Sequence, residues 1–199
     1  MDGRRINAAL KKIVALLLEG KSLVFFDECH FYKHGSRIRA CYPPEDADPM
    51  VLQEPNRKGI SIFGAVRISD GSLPTEITEK YSALTFLKVL SLARKASESI
   101  FVLDNALYHY ACLIADYAFL TGIDLLFLPP YSPELNPIER VLKLVKKDAT
   151  HNRYFQLLSD LRTALSDEFS KLFKPNEELR NMCVVTEVVR YISMRFGFS

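Results

Sequence analysis

Two short apolar runs in this chain each end on an aspartate, and this pattern constrains the fold more than any other feature. Residues 22–27 read Ser-Leu-Val-Phe-Phe-Asp, and residues 99–104 read Ser-Ile-Phe-Val-Leu-Asp. Runs of this length and apolarity predict buried β-strands. Ligands of open α/β sheets bind at the carboxyl ends of strands, so Asp27 and Asp104 converge if the two strands are neighbours.

The remaining elements predict an α/β fold, in which helices cover a mixed sheet. Residues 59–67 and 73–78 read as a hairpin that turns at 69–71. Early antiparallel strands followed by alternating helices and strands give a mixed sheet. Gly20 suits the end of a first helix. The other expected elements are helices at 5–19, 82–96, 108–120, from 137, 155–173 and 177–194, strands at 37–42 and 123–128, and a proline-rich loop at 43–58.

Composition limits the partners that this chain can attract. Its 199 residues carry 26 Lys and Arg against 24 Asp and Glu, a net charge of +2. Any contact with nucleic acid must therefore come from local basic clusters rather than from a field around the whole protein. The cysteines are spread without a CxxC pair, and neither a signal peptide nor a membrane-spanning run is evident. We therefore expect a cytoplasmic protein.

A third acid completes a candidate metal site. Glu139 follows Asp104 with 34 residues between them, on a helix expected to begin near Pro137. Attack on a phosphodiester needs charge stabilisation, which Mg²⁺ supplies from a site with a few carboxylate ligands. Spacing alone leaves other interpretations open. Asp27 and Asp104 can close turns after their strands, and Glu139 lies three residues after Asn136, which fits a helix capping box.

The motifs around the three acids favour the metal site. They read Asp27-Glu-Cys-His-Phe31, Asp104-Asn-Ala-Leu-Tyr-His109 and Leu128-Pro-Pro-Tyr-Ser-Pro-Glu-Leu-Asn-Pro-Ile-Glu139. In this order, and with this interval between the last two acids, they resemble the catalytic domain of DDE transposases of the Tc/mariner superfamily, in its prokaryotic insertion-sequence branch. The third motif is the most specific, and the resemblance covers roughly residues 20–150.

The resemblance implies a ribonuclease H-like fold: a five-stranded mixed sheet flanked by helices, with extra C-terminal helices. It implies that Asp27, Asp104 and Glu139 are the catalytic and metal-binding residues, and that Asp27 is shared between two Mg²⁺ ions, which Mn²⁺ replaces. The implied reaction is hydrolysis at transposon ends, then transfer of the 3′-hydroxyl into target DNA by a homodimer. We divide the chain into an N-terminal helix or linker (1–20), a catalytic domain (21–150) and a C-terminal helical extension (151–199).

Some features depart from the family, and other functions stay open. The family often carries Trp at the place of Leu142, and helix-turn-helix domains that recognise transposon ends usually precede its catalytic domain. Here a single predicted helix precedes the first strand. The alternatives are another ribonuclease H-like nuclease of the resolvase type and an inactive transposase-derived module for DNA binding or oligomerisation.

Basic residues near the acids are candidates for DNA contact. Lys143 and Lys146 follow Glu139 at four and seven positions, hence on one face of the helix. Phosphates near the metal ions need positive charge at such a place. An ordinary solvated helix face explains the same pattern equally well. Further candidates are Arg140 on this helix, His109 after the second acid, and Arg37 and Arg39 on a predicted strand.

Overall fold

The computed structural model describes residues 3–34, 58–79, 82–94, 99–104, 111–130 and 132–183. The order of the elements is the one that the sequence predicts: after a first helix come the antiparallel strands, then alternating helices and strands, and then helices. In chain order they are α1 (Gly3–Leu18), β1 (Ser22–Tyr32), β2 (Gly59–Arg67), β3 (Thr75–Thr78), α2 (Ala83–Ala93), β4 (Ser99–Leu103), α3 (Ala111–Thr121), β5 (Asp124–Phe127), α4 (Ile138–Thr150), α5 (Leu158–Leu172) and α6 (Glu177–Met182). A short 3₁₀ turn, Pro133–Leu135, precedes α4.

The five strands form one mixed sheet in the order β3-β2-β1-β4-β5. β1 lies in the centre, antiparallel to β2 and parallel to β4. β2 and β3 form the predicted hairpin, whose turn contains Gly71 at a positive φ of 68°. α2 leads into β4, and α3 links β4 to β5. Helices lie in these places because a connection between parallel strands must cross a face of the sheet. The expected ribonuclease H-like mixed sheet is confirmed.

Alternate residues of β1 supply two separate apolar cores. Leu23, Phe25 and Phe31 pack on the face covered by α1, α4 and α5. Val24 and Phe26 pack on the opposite face with α2 and α3. The Phe26 ring lies 5.3 Å from that of Phe86 and 5.4 Å from that of Phe101, centroid to centroid. A strand buried on both faces is stiff, so it can fix a side chain that projects from it.

One predicted boundary, the end of β1, differs clearly from the structure. β1 was expected to end at Asp27 but continues to Tyr32, because β2 pairs with it as far as Tyr32 opposite Gly59. α1 ends as expected, with Gly20 at a positive φ of 74° after its last turn. The predicted strand at 37–42, nearly all of the loop at 43–58, and the end of the last helix beyond 183 lie outside the described residues.

The last two helices pack onto the same core as α4. Leu161 and Phe169 of α5 are buried there, and the Phe169 ring meets the Phe31 ring edge-on at 6.2 Å. The main-chain N–H of Asn176 donates to the Asp70 carbonyl in the β2–β3 turn. The division into three parts at residues 20 and 150 stays a prediction. Within the described ranges, no helix has the length and apolarity that crossing a bilayer requires.

Candidate active site

Strand register aligns the first two acids. The parallel pairing of β1 with β4 runs from Ser22 opposite Ser99 to Phe25 opposite Val102. The same register, continued two residues, sets Asp27 opposite Asp104. Side chains alternate between the faces of a sheet, so both acids lie on the face to which Phe25 contributes. This is the face that α4 covers.

A glycine lets α4 approach this face closely. Asp27 pairs with Gly64 of β2. A Cβ atom added to Gly64 would lie 3.2 Å from the Cδ1 atom of Ile138, the first residue of α4. With no side chain at this position, Ile138 packs fully buried against the sheet. Glu139, the next residue, is therefore held at the end of the helix that lies beside Asp27.

The surroundings of Asp27 disfavour the charged form of its carboxyl group. The backbone N–H of Glu28 donates to Asp27 Oδ1 at 2.8 Å, which favours the charged form. Burial outweighs this contact and, with the negative charges of Asp104 and Glu139, raises the pKa of Asp27 from its ordinary value of 3.8 to about 7. Three carboxylates that interact in this way favour the binding of a cation, which removes both their repulsion and part of the desolvation penalty.

The acids share one face without already forming a closed metal centre. Across the described residues, no three or more His, Cys, Asp and Glu side chains are grouped tightly enough to hold an ion. The charges of Asp104 and Glu139 both act on the Asp27 carboxylate. Their oxygen donors are nonetheless the kind that Mg²⁺ and Mn²⁺ prefer.

A fourth acid, Glu28, was not singled out as a site residue. Burial raises its pKa to about 6, and the charge of Asp104 adds to the rise. Its position beside Asp27 was the available signal, but alternation along β1 directs it to the other face of the sheet. Glu28 therefore adds to the negative potential near the carboxyl ends of the strands.

The predicted capping box at α4 is wrong. Asn136 Oδ1 has no hydrogen-bond partner among the described residues, so this side chain does not cap the helix. Pro137 occupies the boundary with helical φ and ψ of −66° and −23°. Instead, Asn136 Nδ2 donates to the main-chain oxygen of Phe26 at 3.1 Å. The 3₁₀ turn before it directs the side chain into the core, where it is 5% exposed. Glu139 is therefore not engaged as a partner of Asn136 in a cap.

The basic residues of α4 have different surroundings. Lys143 lies 3.4 Å from Glu139 Oε2 in an exposed ion pair. The Nζ atom of Lys146 lies 5.7 Å from the centroid of the Phe31 ring, over β1. Arg140 acts instead on Cys183 beyond α6: burial raises the pKa of this thiol to about 11, and the Arg140 charge opposes that rise.

Leu142 is buried, as its apolar face predicts. His109, Arg37 and Arg39 lie outside the described residues.

Comparison with protein families gives the assignment of the chain. The model of the family described as "DDE superfamily endonuclease" matches residues 22–162, which include all three acids. The chain belongs to this family. The resemblance of the three motifs is thereby confirmed at the level of the DDE endonuclease family. An origin in a prokaryotic insertion sequence stays a prediction.

One sequence relative and several solved structures are similar to this chain, and the structures share its fold. An uncharacterized protein, y4pE/y4sA, from Sinorhizobium fredii (strain NBRC 101917 / NGR234) is 33% identical over 76 residues, which are 38% of this chain and 54% of that protein. A Mos1 mariner paired-end complex with Mn has a TM-score of 0.71 at 18% identity, covering 98% of this chain and 62% of that one. The catalytic domain of Mos1 mariner transposase has a TM-score of 0.53 at 14% identity, covering 94% and 96%.

Proposed function

We propose that this DDE endonuclease chain is the catalytic domain of a DNA transposase. It would hydrolyse phosphodiesters at the ends of a transposon and transfer the freed 3′-hydroxyl into target DNA. One observation carries the proposal: Asp27 and Asp104 share one face of the sheet, α4 carries Glu139 over that face, and the charges of Asp104 and Glu139 both act on Asp27. Negative charges that act on a buried carboxylate destabilise the fold unless a bound cation compensates them.

The residues fit a divalent metal. Asp27, Asp104 and Glu139 offer hard oxygen donors, and burial, with the charges of Asp104 and Glu139, raises the pKa of Asp27 to about 7. We propose that these three residues would hold Mg²⁺ or Mn²⁺, as two ions if the resemblance extends to their number. When bound, such ions activate the attacking oxygen and stabilise the leaving oxygen of the phosphodiester. One solved Mos1 complex contains Mn and another Mg, which supports the choice of ions.

The chain itself supplies rigid placement of the acids. Asp27 projects from a central strand buried on both faces, and the Glu28 amide fixes one of its oxygens. Glu139 stands in the first turn of α4, which is anchored by buried Ile138. Lys143 beside Glu139 and Lys146 over β1 place positive charge where a phosphate would approach. Preorganisation of this kind lowers the cost of reaching the transition state.

DNA is the proposed partner, in a homodimeric active complex. Structures of Mos1 with this fold are described as a paired-end complex and a strand transfer complex. The chain spans 62% of the length of the Mos1 chain in the first of these and 54% of its curated relative. Because of this partial coverage, recognition of transposon ends and pairing of two protomers are proposals for this chain. Location in the cytoplasm, at the nucleoid with DNA, stays a prediction.

Strand joining is the decisive assay. A labelled duplex that carries the terminal repeat flanking the gene, already nicked to expose the 3′-hydroxyl, is incubated with plasmid target and Mg²⁺, Mn²⁺ or EDTA. We expect metal-dependent joined products and a loss of at least ~100-fold in Asp104→Asn. Asp124→Asn, an exposed aspartate at the start of β5, is the matched control and should retain activity.

The same assay separates the alternatives. Cleavage of DNA without any joining would favour a nuclease of the resolvase type. DNA binding with neither cleavage nor joining would favour an inactive binding module. Equal activity of Asp104→Asn and the control would show that the acids are not the catalytic centre.

A further inference from the structure

Asn136 links the backbones of two of the acids. Its side-chain Nδ2 donates to the carbonyl oxygen of Phe26 at 3.1 Å, and that carbonyl belongs to the peptide bond that joins Phe26 to Asp27. Its own main-chain carbonyl accepts the N–H of Glu139 at 3.3 Å. One residue thus contacts the peptide preceding Asp27 and the amide of Glu139, although these acids are far apart in sequence.

The second polar atom of this side chain is unsatisfied. Phe26 offers an acceptor, so the amide NH₂ group of Asn136 must face it. The Oδ1 atom is buried and has no hydrogen-bond partner among the described residues. A buried acceptor without a partner lowers stability, and this penalty offsets what the bond to the Phe26 carbonyl contributes. Asn136 is therefore a poor choice for stability alone.

The neighbouring contacts explain why the hydrogen bond of Asn136 matters for the position of α4. Ile138 packs on the sheet at Gly64, and the 3₁₀ turn Pro133–Leu135 lies directly before Asn136. Ile138 presses the helix onto the sheet but, as an apolar contact, does not fix its position along the strand. The directional hydrogen bond from Asn136 does fix that position.

We propose that Asn136 is a positioning residue, which sets the spacing between Asp27 and Glu139 and so the affinity of the site for divalent metal. This inference rests on the proposed function of these acids. It assigns to Asn136 a role that acts through Glu139 and Asp27 rather than through direct contact with substrate.

Three variants test the role. Asn136→Ala removes the side chain, whereas Asn136→Leu keeps a branched side chain of similar shape and removes both the donor and the unsatisfied acceptor. Asn176→Ala is the matched control, because Asn176 Oδ1 accepts from the Leu179 amide at 3.1 Å and thereby caps α6. The measurements are Mn²⁺ affinity from calorimetry, thermal unfolding, strand joining, and a metal-free crystal structure of each variant.

A positioning role predicts a distinct pattern. Asn136→Leu removes one unsatisfied buried acceptor but also the donor to the Phe26 carbonyl, so its unfolding temperature should stay close to that of the wild type. It should nevertheless bind Mn²⁺ at least ~10-fold more weakly and lose strand joining in proportion. In its metal-free structure the start of α4 should be displaced along β1. Asn176→Ala should show the reverse, a lower unfolding temperature with Mn²⁺ affinity within about twofold of wild type.

The outcomes distinguish failure of the positioning role from failure of the proposed function. If the wild type binds Mn²⁺ and joins strands, and both Asn136 variants do so equally well, the positioning role is overturned while the proposed function stands. If the wild type shows neither property, the proposed function fails. The metal-free structures then still decide whether Asn136 sets the spacing of the two acids, and an unmoved α4 would overturn that too.

Discussion

Removal of the charge on Asp27 should stabilise the metal-free protein while it abolishes activity. Asp27→Asn keeps an oxygen that accepts the Glu28 amide, so the one hydrogen bond to this side chain is preserved. The substitution removes a carboxylate that is desolvated and repelled by Asp104 and Glu139. A site selected for catalysis is expected to lower stability in this manner.

The size of the effect follows from the pKa. One pKa unit corresponds to about 1.4 kcal/mol, so the rise from 3.8 to about 7 sets an upper limit of roughly 4 kcal/mol. Water reaches part of this half-buried side chain, so we expect about 2 kcal/mol. Since the folded-state pKa is raised, the stabilising contribution of Asp27 is complete below pH 3.8 and is lost as pH rises through about 7. The advantage of the Asn variant should therefore grow over that range.

Thermal unfolding without metal, at pH 5 and pH 8, measures this difference. About 2 kcal/mol corresponds to roughly 4–8 °C for a domain of this size, and the gap should be larger at pH 8. Mn²⁺ should stabilise the wild type but not Asp27→Asn. Exposed Asp124→Asn should show neither effect. An Asp27→Asn protein that is less stable than wild type at pH 8 would show that the carboxylate is not destabilising, and would refute the reasoning.

Three further predictions concern α4 and its approach to the sheet. Glu139→Gln loses an ion pair with Lys143 and relieves a repulsion of Asp27, two small and opposing effects, so the free energy of unfolding should change by less than about 1 kcal/mol while cleavage disappears. Cleavage at the wild-type rate would remove Glu139 from the site. Gly64→Val should push Ile138 away from the sheet, destabilise the fold by about 1–3 kcal/mol and reduce strand joining. Unchanged joining would mean that catalysis does not need the close approach of α4 to the sheet. Lys143→Glu with Lys146→Glu should weaken DNA binding on all sequences and flatten its salt dependence in anisotropy titrations; an unchanged salt slope would exclude phosphate contact.

Local patterns in the sequence were enough to predict most elements. The apolar run before Asp104 became β4, and the turn at residues 69–71 became the β2–β3 connection. The convergence of Asp27 with Asp104 also followed, because the carboxyl ends of parallel neighbours meet at one edge of a sheet. These inferences succeed because a strand buried on both faces needs a continuous apolar run.

Contacts between distant residues could not be read from the sequence. The polar residues after Asp27 do not resemble a buried strand, yet pairing with β2 carries β1 on to Tyr32. Asn136 fits the local pattern of a helix cap, but its donor serves a carbonyl at Phe26. The role of Gly64 depends on the register that sets it opposite Asp27. Each case depends on which segments meet, and local propensity does not encode that.

The packing of the last helices has a consequence for how the chain is synthesised. Phe31 on β1 is buried against Phe169, and the turn at Asp70 holds the start of α6 through Asn176. The ribosome makes the strands well before these helices, and domains fold as units during synthesis. Until α5 emerges, the face of the sheet that carries Asp27 has an incomplete apolar cover. A nascent chain stopped before Leu158 should therefore recruit chaperones or aggregate rather than accumulate as a shortened active fragment.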